Sequence, residues 1–277
     1  MSGDPIADYA LLSDCRSAAL VSGAGSVDWL CFPRFDRPSV FGRILGEEAG
    51  SWSIRSAGKA ASTRRYVGPT MVLKTTYTTP EGAATVTDAL VLGDGNRGHD
   101  LGTGSPGVLL RQVSCTSGSL DMDVVFAPRP EYGLIRPFLR ESAGGLVVRG
   151  GADVLALSTP VQFDLSGDGA RARLSLRAGE SVGFALHHKQ SWQDPPPMWD
   201  QEEISRRLRD TVEGWTSWSG LHQNYRVAVA GSGRGQRPVP AGVDVFPHWC
   251  DRRRAHHVPA RGRRRLTQLG LPVYLDP

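Results

Sequence analysis

Residues 120–127 read LDMDVVFA. Leu120, Met122, Val124 and Phe126 fall on one side of an extended chain, Asp121 and Asp123 on the other. A period of two puts one face in a core and the other in water, which is the pattern of a half-buried strand. The same pattern repeats outward in both directions. MVLKTTY (71–77), ATVTDAL (84–90) and VLLRQVS (108–114) precede it. DVLALS (153–158), VQFDL (161–165), RARLSLR (171–177) and SVGFALHH (181–188) follow. Turn signals separate the runs at Pro80-Glu81-Gly82, Ser117-Gly118, Ser166-Gly167-Asp168-Gly169 and Ala178-Gly179-Glu180. Many short strands joined this way predict a mainly β chain, an antiparallel β-sandwich. Residues 1–60 carry dense punctuation, at Asp4-Pro5, Gly23-Ala24-Gly25 and Arg37-Pro38, and read as turns between short segments.

Beyond the strands the pattern changes. KQSWQDPPPMW (189–199) is proline-rich and ends the sheet. Asp200 with Glu203 resembles a capping box. Ile204, Leu208, Val212, Trp215 and Trp218 then recur at spacings of three and four, a helix with one apolar stripe, weakened at Gly214. The stripe fits a linker helix leaving for another domain, or a helix packed on its own sheet. In the first case it is exposed on the isolated sandwich and invites aggregation. The expected division is a sandwich over 1–198, a linker helix over 199–225 and a disordered tail over 226–277.

Composition narrows the class. A chain of 277 residues and 29.9 kDa holds one large β domain or two ordinary ones, and 40% hydrophobic residues supply a core. No run of 18 apolar residues offers a membrane helix. The opening MSGDPIADYALLSD has no basic stretch before an apolar core, so no secretory signal is expected. Cys15, Cys31, Cys115 and Cys250 are scattered with no C-x-x-C pair, which fits a reducing cytoplasm. Charge is uneven: residues 1–225 hold 22 basic and 25 acidic side chains, residues 226–277 hold 10 and 3. The basic pI therefore belongs to the tail.

Motifs for nucleophilic, zinc or phosphate chemistry are missing: there is no G-x-S-x-G, H-E-x-x-H or Walker loop. The glycines from Gly93 to Gly107 lack a strand–loop–helix context and read as a hairpin loop. His187 and His188 are adjacent on a strand and point to opposite faces, so they read as a structural or solvated pair and not as metal ligands. Asp121/Asp123 and Glu47-Glu48 have no reason to be buried, and burial is what raises a carboxyl toward acid catalysis. One segment differs, GSVDWLCFPRFDRPSVFGRIL (25–45). It sets Trp29, Phe32, Phe35 and Phe41 among Asp28, Arg34, Asp36 and Arg43. Such aromatics can stack on sugar rings while the polar groups bind hydroxyls. The alternative is that the aspartates make turns and the aromatics fill the core.

PIADYALLSD (5–14) and residues 25–45 resemble the opening of bacterial glycoside hydrolase family 15, the group of glucoamylases, glucodextranases and actinobacterial trehalases. YVGPTMVLKTTY, ATVTDAL, LLRQVSCTSG, FAPRPEYG (126–133), AGESVGFAL (178–186) and the DTVEGWTSWSGLHQNY that ends at Tyr225 continue the likeness over 1–225, nearest to the trehalase branch. Arg37 stands where a smaller residue is commoner. The resemblance implies an N-terminal β-sandwich, a linker helix and an (α/α)6 barrel. In that barrel two glutamates, roughly 6.5–9.5 Å apart, hydrolyse an α-glucosidic bond with inversion. It implies no cofactor and no metal, and trehalose or a malto-oligosaccharide as the intact protein's substrate. No residue here is nominated as catalytic. Asp28, Trp29, Arg34 and Asp36 are the candidate substrate contacts. No nucleic-acid or membrane partner is expected, and the oligomeric state is open.

The tail offers a test of this resemblance. If tail codons straddle the family's codons, the middle base of each must match the first base of a family residue. RRRAHHVPAR (252–261) has middle bases GGGCAATCCG, as the family string VAAPTTSLPE requires. QLGLPVYLDP (268–277) has ATGTCTATAC, as NWDYRYTWIR requires. The tail thus reads as barrel sequence translated out of frame, which accounts for its arginines without nucleic-acid binding.

Overall fold

A computed structural model describes residues 5–167 and 169–222, and the sequence-predicted tail lies outside the described residues. In chain order the strands are β1 (Ala10–Ser13), β2 (Ala18–Val21), β3 (Ser26–Cys31), β4 (Ser39–Phe41) and β5 (Ser51–Ser56). Then come β6 (Ala61–Tyr66), β7 (Leu73–Thr79), β8 (Gly82–Leu90), β9 (Val108–Ala127) and β10 (Phe138–Ser142). Last are β11 (Gly145–Gly150), β12 (Asp153–Ser158), β13 (Asp164–Ser166), β14 (Gly169–Arg177), β15 (Ser181–Gln190) and the helix α1 (Gln201–His222). Every pairing among them is antiparallel, as expected.

Two layers result. One runs β1-β2-β3-β5-β9-β14-β13, with β4 on the edge of β3. The other runs β6-β7-β8-β9-β15-β12-β11-β10. β9 belongs to both. Its first half pairs with β8 and β15, its second with β5 and β14. The turn expected at Ser117-Gly118 is therefore a crossing point inside one 20-residue strand. Gly118 makes the crossing at φ +60°, and a Cβ there would lie 1.9 Å from the Glu81 carbonyl oxygen. A glycine bends the chain where any larger residue would break the ladder.

The alternation read at 120–127 holds. Leu120, Met122, Val124 and Phe126 are buried, each contributing roughly 1.5–3 kcal/mol when fully buried. Asp123 points out and pairs with Arg173 at 2.9 Å. Phe126 and Trp52 of the first layer meet edge to face at 5.5 Å, and Trp52 meets Phe184 of the second at 6.1 Å. Of VQFDL only Asp164 and Leu165 enter a strand. The hairpin β10–β11 and the six strands before residue 67 went unread. β3 is buried on both faces, so it shows no alternation.

The helix begins as expected, with the Asp200 carboxylate accepting the Glu203 amide at 2.8 Å. The capping box is only half made, because the Glu203 carboxylate turns to Arg206 and Arg207. The apolar stripe is not exposed, which corrects the aggregation-prone reading. Ile204, Leu208, Trp215 and Trp218 are buried, with α1 against β15, β8 and β9. Gln201 holds both backbone groups of Gly183, at 2.6 and 3.0 Å. The glycine-rich connection between β8 and β9 clamps the other end. Gly95 donates its amide to Asp210, Gly98 to Ser217, and Arg97 pairs with Asp210 and Glu213. Gly214 has a packing reason, since a Cβ there would meet Leu92 Cδ1 at 2.8 Å.

Candidate functional site

The four sequence-predicted contacts split into separate environments. Asp28 on β3 turns inward and is 4% exposed. Its carboxylate accepts from Ser26 Oγ at 2.5 Å and from the Tyr9 hydroxyl at 3.0 Å. Those bonds spend it on the fold. Trp29, the next residue, faces the other way, as adjacent strand residues must. Its ring lies 6.3 Å from that of Tyr132, tilted by 32°. Arg34 and Asp36 sit in the β3–β4 connection as a two-bond ion pair, at 2.9 and 3.0 Å. Both are exposed, and the Asp36 carboxylate holds the Arg34 guanidinium above its ordinary range.

Tyr132 is the partner that the sequence reading missed. It lies in FAPRPEYG, where Glu131, Tyr132 and Gly133 take φ of +54°, +59° and +93°. Left-handed backbone at two successive non-glycine residues costs on the order of 1–3 kcal/mol each. A net of backbone bonds holds it: Gly133 to Arg129 O, Leu134 to Glu131 O, Ile135 to Pro130 O, and Arg129 to Val40 O on β4. The result is a rigid loop bound to the β3–β4 side of the sandwich, presenting Tyr132 and the 84%-exposed Leu134. Pro128, Pro130 and Gly133 were the available signal. The alternative reading of the segment holds for Phe32 and Phe41, which are core, and for Asp36, which lies in a turn, whereas Asp28 is a buried strand residue. Phe35, Arg34 and Asp36 are exposed, and Trp29 is half-buried.

Other titratable groups serve the interior. Burial first, then the Asp36 charge, push the Cys31 thiol up to about 11, which keeps it protonated and unreactive. His187 and His188 point to opposite faces as expected, but both are buried, which corrects the solvated alternative. His188 Nε2 lies 2.8 Å from Asp153 Oδ1, and Gln190 donates to the same oxygen at 2.9 Å. His187 packs edge-on against Trp199 at 4.6 Å with its Nε2 unpartnered. Burial, then Lys189, hold it down to about 4. Asp14 is fully buried, and desolvation raises it to about 6 despite amide bonds from Ser17 and Arg16. Among the described residues no three His, Cys, Asp or Glu side chains converge as a metal site, and no helix is long and apolar enough to cross a membrane.

Comparison with known proteins gives this sandwich a lineage. Residues 1–207 match the family described as trehalase-like, N-terminal. The chain is 35% identical over 238 residues to the trehalase of Mycobacterium tuberculosis, covering 78% of this chain and 34% of that protein. It is 35% identical over 235 residues to the trehalase of Mycolicibacterium smegmatis, covering 77% and 34%. Trehalase 1 of Sulfolobus acidocaldarius is 35% identical over 131 residues, covering 47% and 20%. The chain thus spans about a third of the length of the first two relatives. With the match running through β1 to β15 and into α1, the chain belongs to the trehalase-like N-terminal family.

Proposed function

We propose that this chain carries the N-terminal module of a trehalase-like α-glucoside hydrolase, and that hydrolysis in the intact protein is the work of residues beyond the sandwich. Membership of the trehalase-like N-terminal family over residues 1–207 carries the reading. Relatives named trehalase make trehalose the first substrate to test, with malto-oligosaccharides second. The engagement of three interior carboxylates supports it. Asp28 is held by Ser26 and Tyr9, Asp88 by Arg111, and Asp153 by His188 and Gln190. In this reading 1–198 is the sandwich, 199–225 the linker helix, and 226–277 barrel sequence in a shifted frame, within a cytoplasmic protein. Resequencing the gene across codons 220–280 tests the frame. For the function, the 277-residue chain is expected to release no glucose from trehalose. A chimera joining residues 1–222 to the remainder of the M. tuberculosis trehalase is expected to release it. Glucose from the chain alone, or a folded but inactive chimera, overturns the reading.

A second reading, a carbohydrate-binding sandwich, is favoured by one observation, the contact of half-buried Trp29 on β3 with exposed Tyr132 on the loop after β9. It predicts a saturable tryptophan-fluorescence change with trehalose or maltose that W29A abolishes. No change at sugar concentrations of about 10 mM, where even millimolar affinity would show, sinks it.

A further inference from the structure

We infer that the outer face of the second layer carries a binding site for a phosphate group, distinct from the surface around Trp29. Three cations share that face. Arg149 on β11 lies opposite Val154 of β12, which lies opposite Lys189 of β15. Arg140 on β10 lies opposite Val147, two residue pairs along from Arg149 and so on the same face. Neighbouring strands are about 5 Å apart, so three long side chains from these positions reach a common point above Val147 and Val154. None of the three guanidinium or ammonium groups makes a hydrogen bond or ion pair within the described residues. Arg34, Arg97, Arg111, Arg173 and Arg207, by contrast, are paired with Asp36, Asp210, Asp88, Asp123 and Glu203.

The face is also roofed. Residues 191–199 leave β15 and run back across the sheet as a strap. It is pinned where the Ser191 amide donates to Ala152 O at 2.8 Å and where the Trp199 amide donates to Ser158 Oγ at 3.0 Å. Met198 closes it against Gly144, and Pro196 within it is buried. The cleft under it has a volume of about 190 Å³ and is lined by Arg140, Arg149, Lys189 and the strap's Gln193 and Asp194. The Gln193 side-chain oxygen accepts the Gln190 backbone amide, which leaves the side-chain NH₂ group free to donate. Three cations against the single carboxylate of Asp194 leave a net charge of two positive units in a partly desolvated recess. A compact, doubly charged tetrahedral oxyanion is the ligand that matches it, because guanidinium groups bind such oxygens through paired hydrogen bonds. That group can arrive as inorganic phosphate or as the ester of a small sugar.

Isothermal titration of the 277-residue chain decides, at pH 7.5 with ionic strength held constant so that general screening is the same in every arm. Inorganic phosphate, a hexose 6-phosphate, the neutral hexose and chloride are titrated separately. Saturable binding of phosphate or of the hexose phosphate, with none of the hexose or chloride, is expected. A tighter hexose phosphate identifies the ester as ligand, and equal affinities identify the free ion. Losing one charged hydrogen-bonding partner weakens such a site by about tenfold or more, so R149Q and K189Q are each expected to do so. D194N is expected to tighten binding, a gain that a misfolded variant cannot mimic. No binding of either phosphate at about 10 mM, equal binding of chloride, or affinity unmoved by R149Q, K189Q and D194N overturns the proposal. Since the sugar surface plays no part, W29A leaves this binding unchanged.

Discussion

Arg111 of β9 and Asp88 of β8 are directly opposite each other and form an ion pair with no exposure on either side, at 2.8 and 3.3 Å. The same guanidinium donates to Trp52 O and Gly25 O in the facing layer and lies over the Trp52 ring at 5.2 Å. One side chain thus ties the two sheets together at the middle of the core. Burying such a pair is not in itself a strong source of stability, but breaking it leaves a bare charge. Arg111→Met is therefore expected to cost about 3–5 kcal/mol in urea unfolding, and the double variant R111M/D88L distinctly less. Equal losses for the single and double variants would show that packing around Arg111, not the stranded Asp88 charge, dominates.

Asp14 gives a second, pH-dependent expectation. Its carboxyl is raised to about 6 by burial, against about 3.9 unfolded. Folding then takes up a proton, so stability falls as pH rises from about 4 to 6 and the loss is complete above that. Asp14→Asn keeps an acceptor for the Ser17 and Arg16 amides and removes the charge. It is expected to be more stable than the parent by about 1–3 kcal/mol at pH 7, with no gain at pH 4. A gain that does not change between those two pH values refutes the assignment.

His187 acts in the opposite sense. Held down to about 4 in the fold, it titrates near 6.5 when unfolded. The unfolded chain alone gains a proton as pH falls through this window, so acid erodes stability there. His187→Phe keeps the edge contact with Trp199 and removes the titration. Its stability relative to the parent is expected to rise by about 2–3 kcal/mol between pH 7 and pH 4, read by chemical denaturation at each pH. A constant difference would mean that the fold does not lower the His187 pKa.

Gly118 tests the crossing of β9. Alanine there meets both the +60° backbone and the Glu81 carbonyl, and a loss of about 2–4 kcal/mol is expected, more than a helix-interior glycine swap involves. Gly58 is the control, since nothing lies within 4 Å of its added Cβ. G58A is expected to stay within about 0.5 kcal/mol of the parent. If G118A is equally silent, the bend at this point is not set by the glycine.

Local periodicity was enough to read the sandwich class, the strands from residue 71 onward other than the hairpin β10–β11, and the helix with its Asp200 cap. Each depends on near neighbours in the chain: alternate burial along β9, spacings of three and four along α1, a carboxylate three residues from its amide. The motifs of residues 5–45 and 126–133 were also enough to reach the family. What local pattern does not encode is the identity of partners far away in the chain. β3 lies between strands and under the other layer, so its apolar residues show no period. Asp28 looked like a sugar ligand until Tyr9 and Ser26 were found on its two oxygens. Tyr132 emerged only because the loop after β9 folds back onto β4, a hundred residues from Trp29 in sequence and one ring away in space. The choice between a departing helix and a docked one rested on Gly183 and Gly214, whose bare backbones let α1 approach β15 and the β8–β9 loop. Sequence determines which faces are apolar, and the tertiary structure decides what covers them, because burial depends on contacts between residues that the chain order does not bring together.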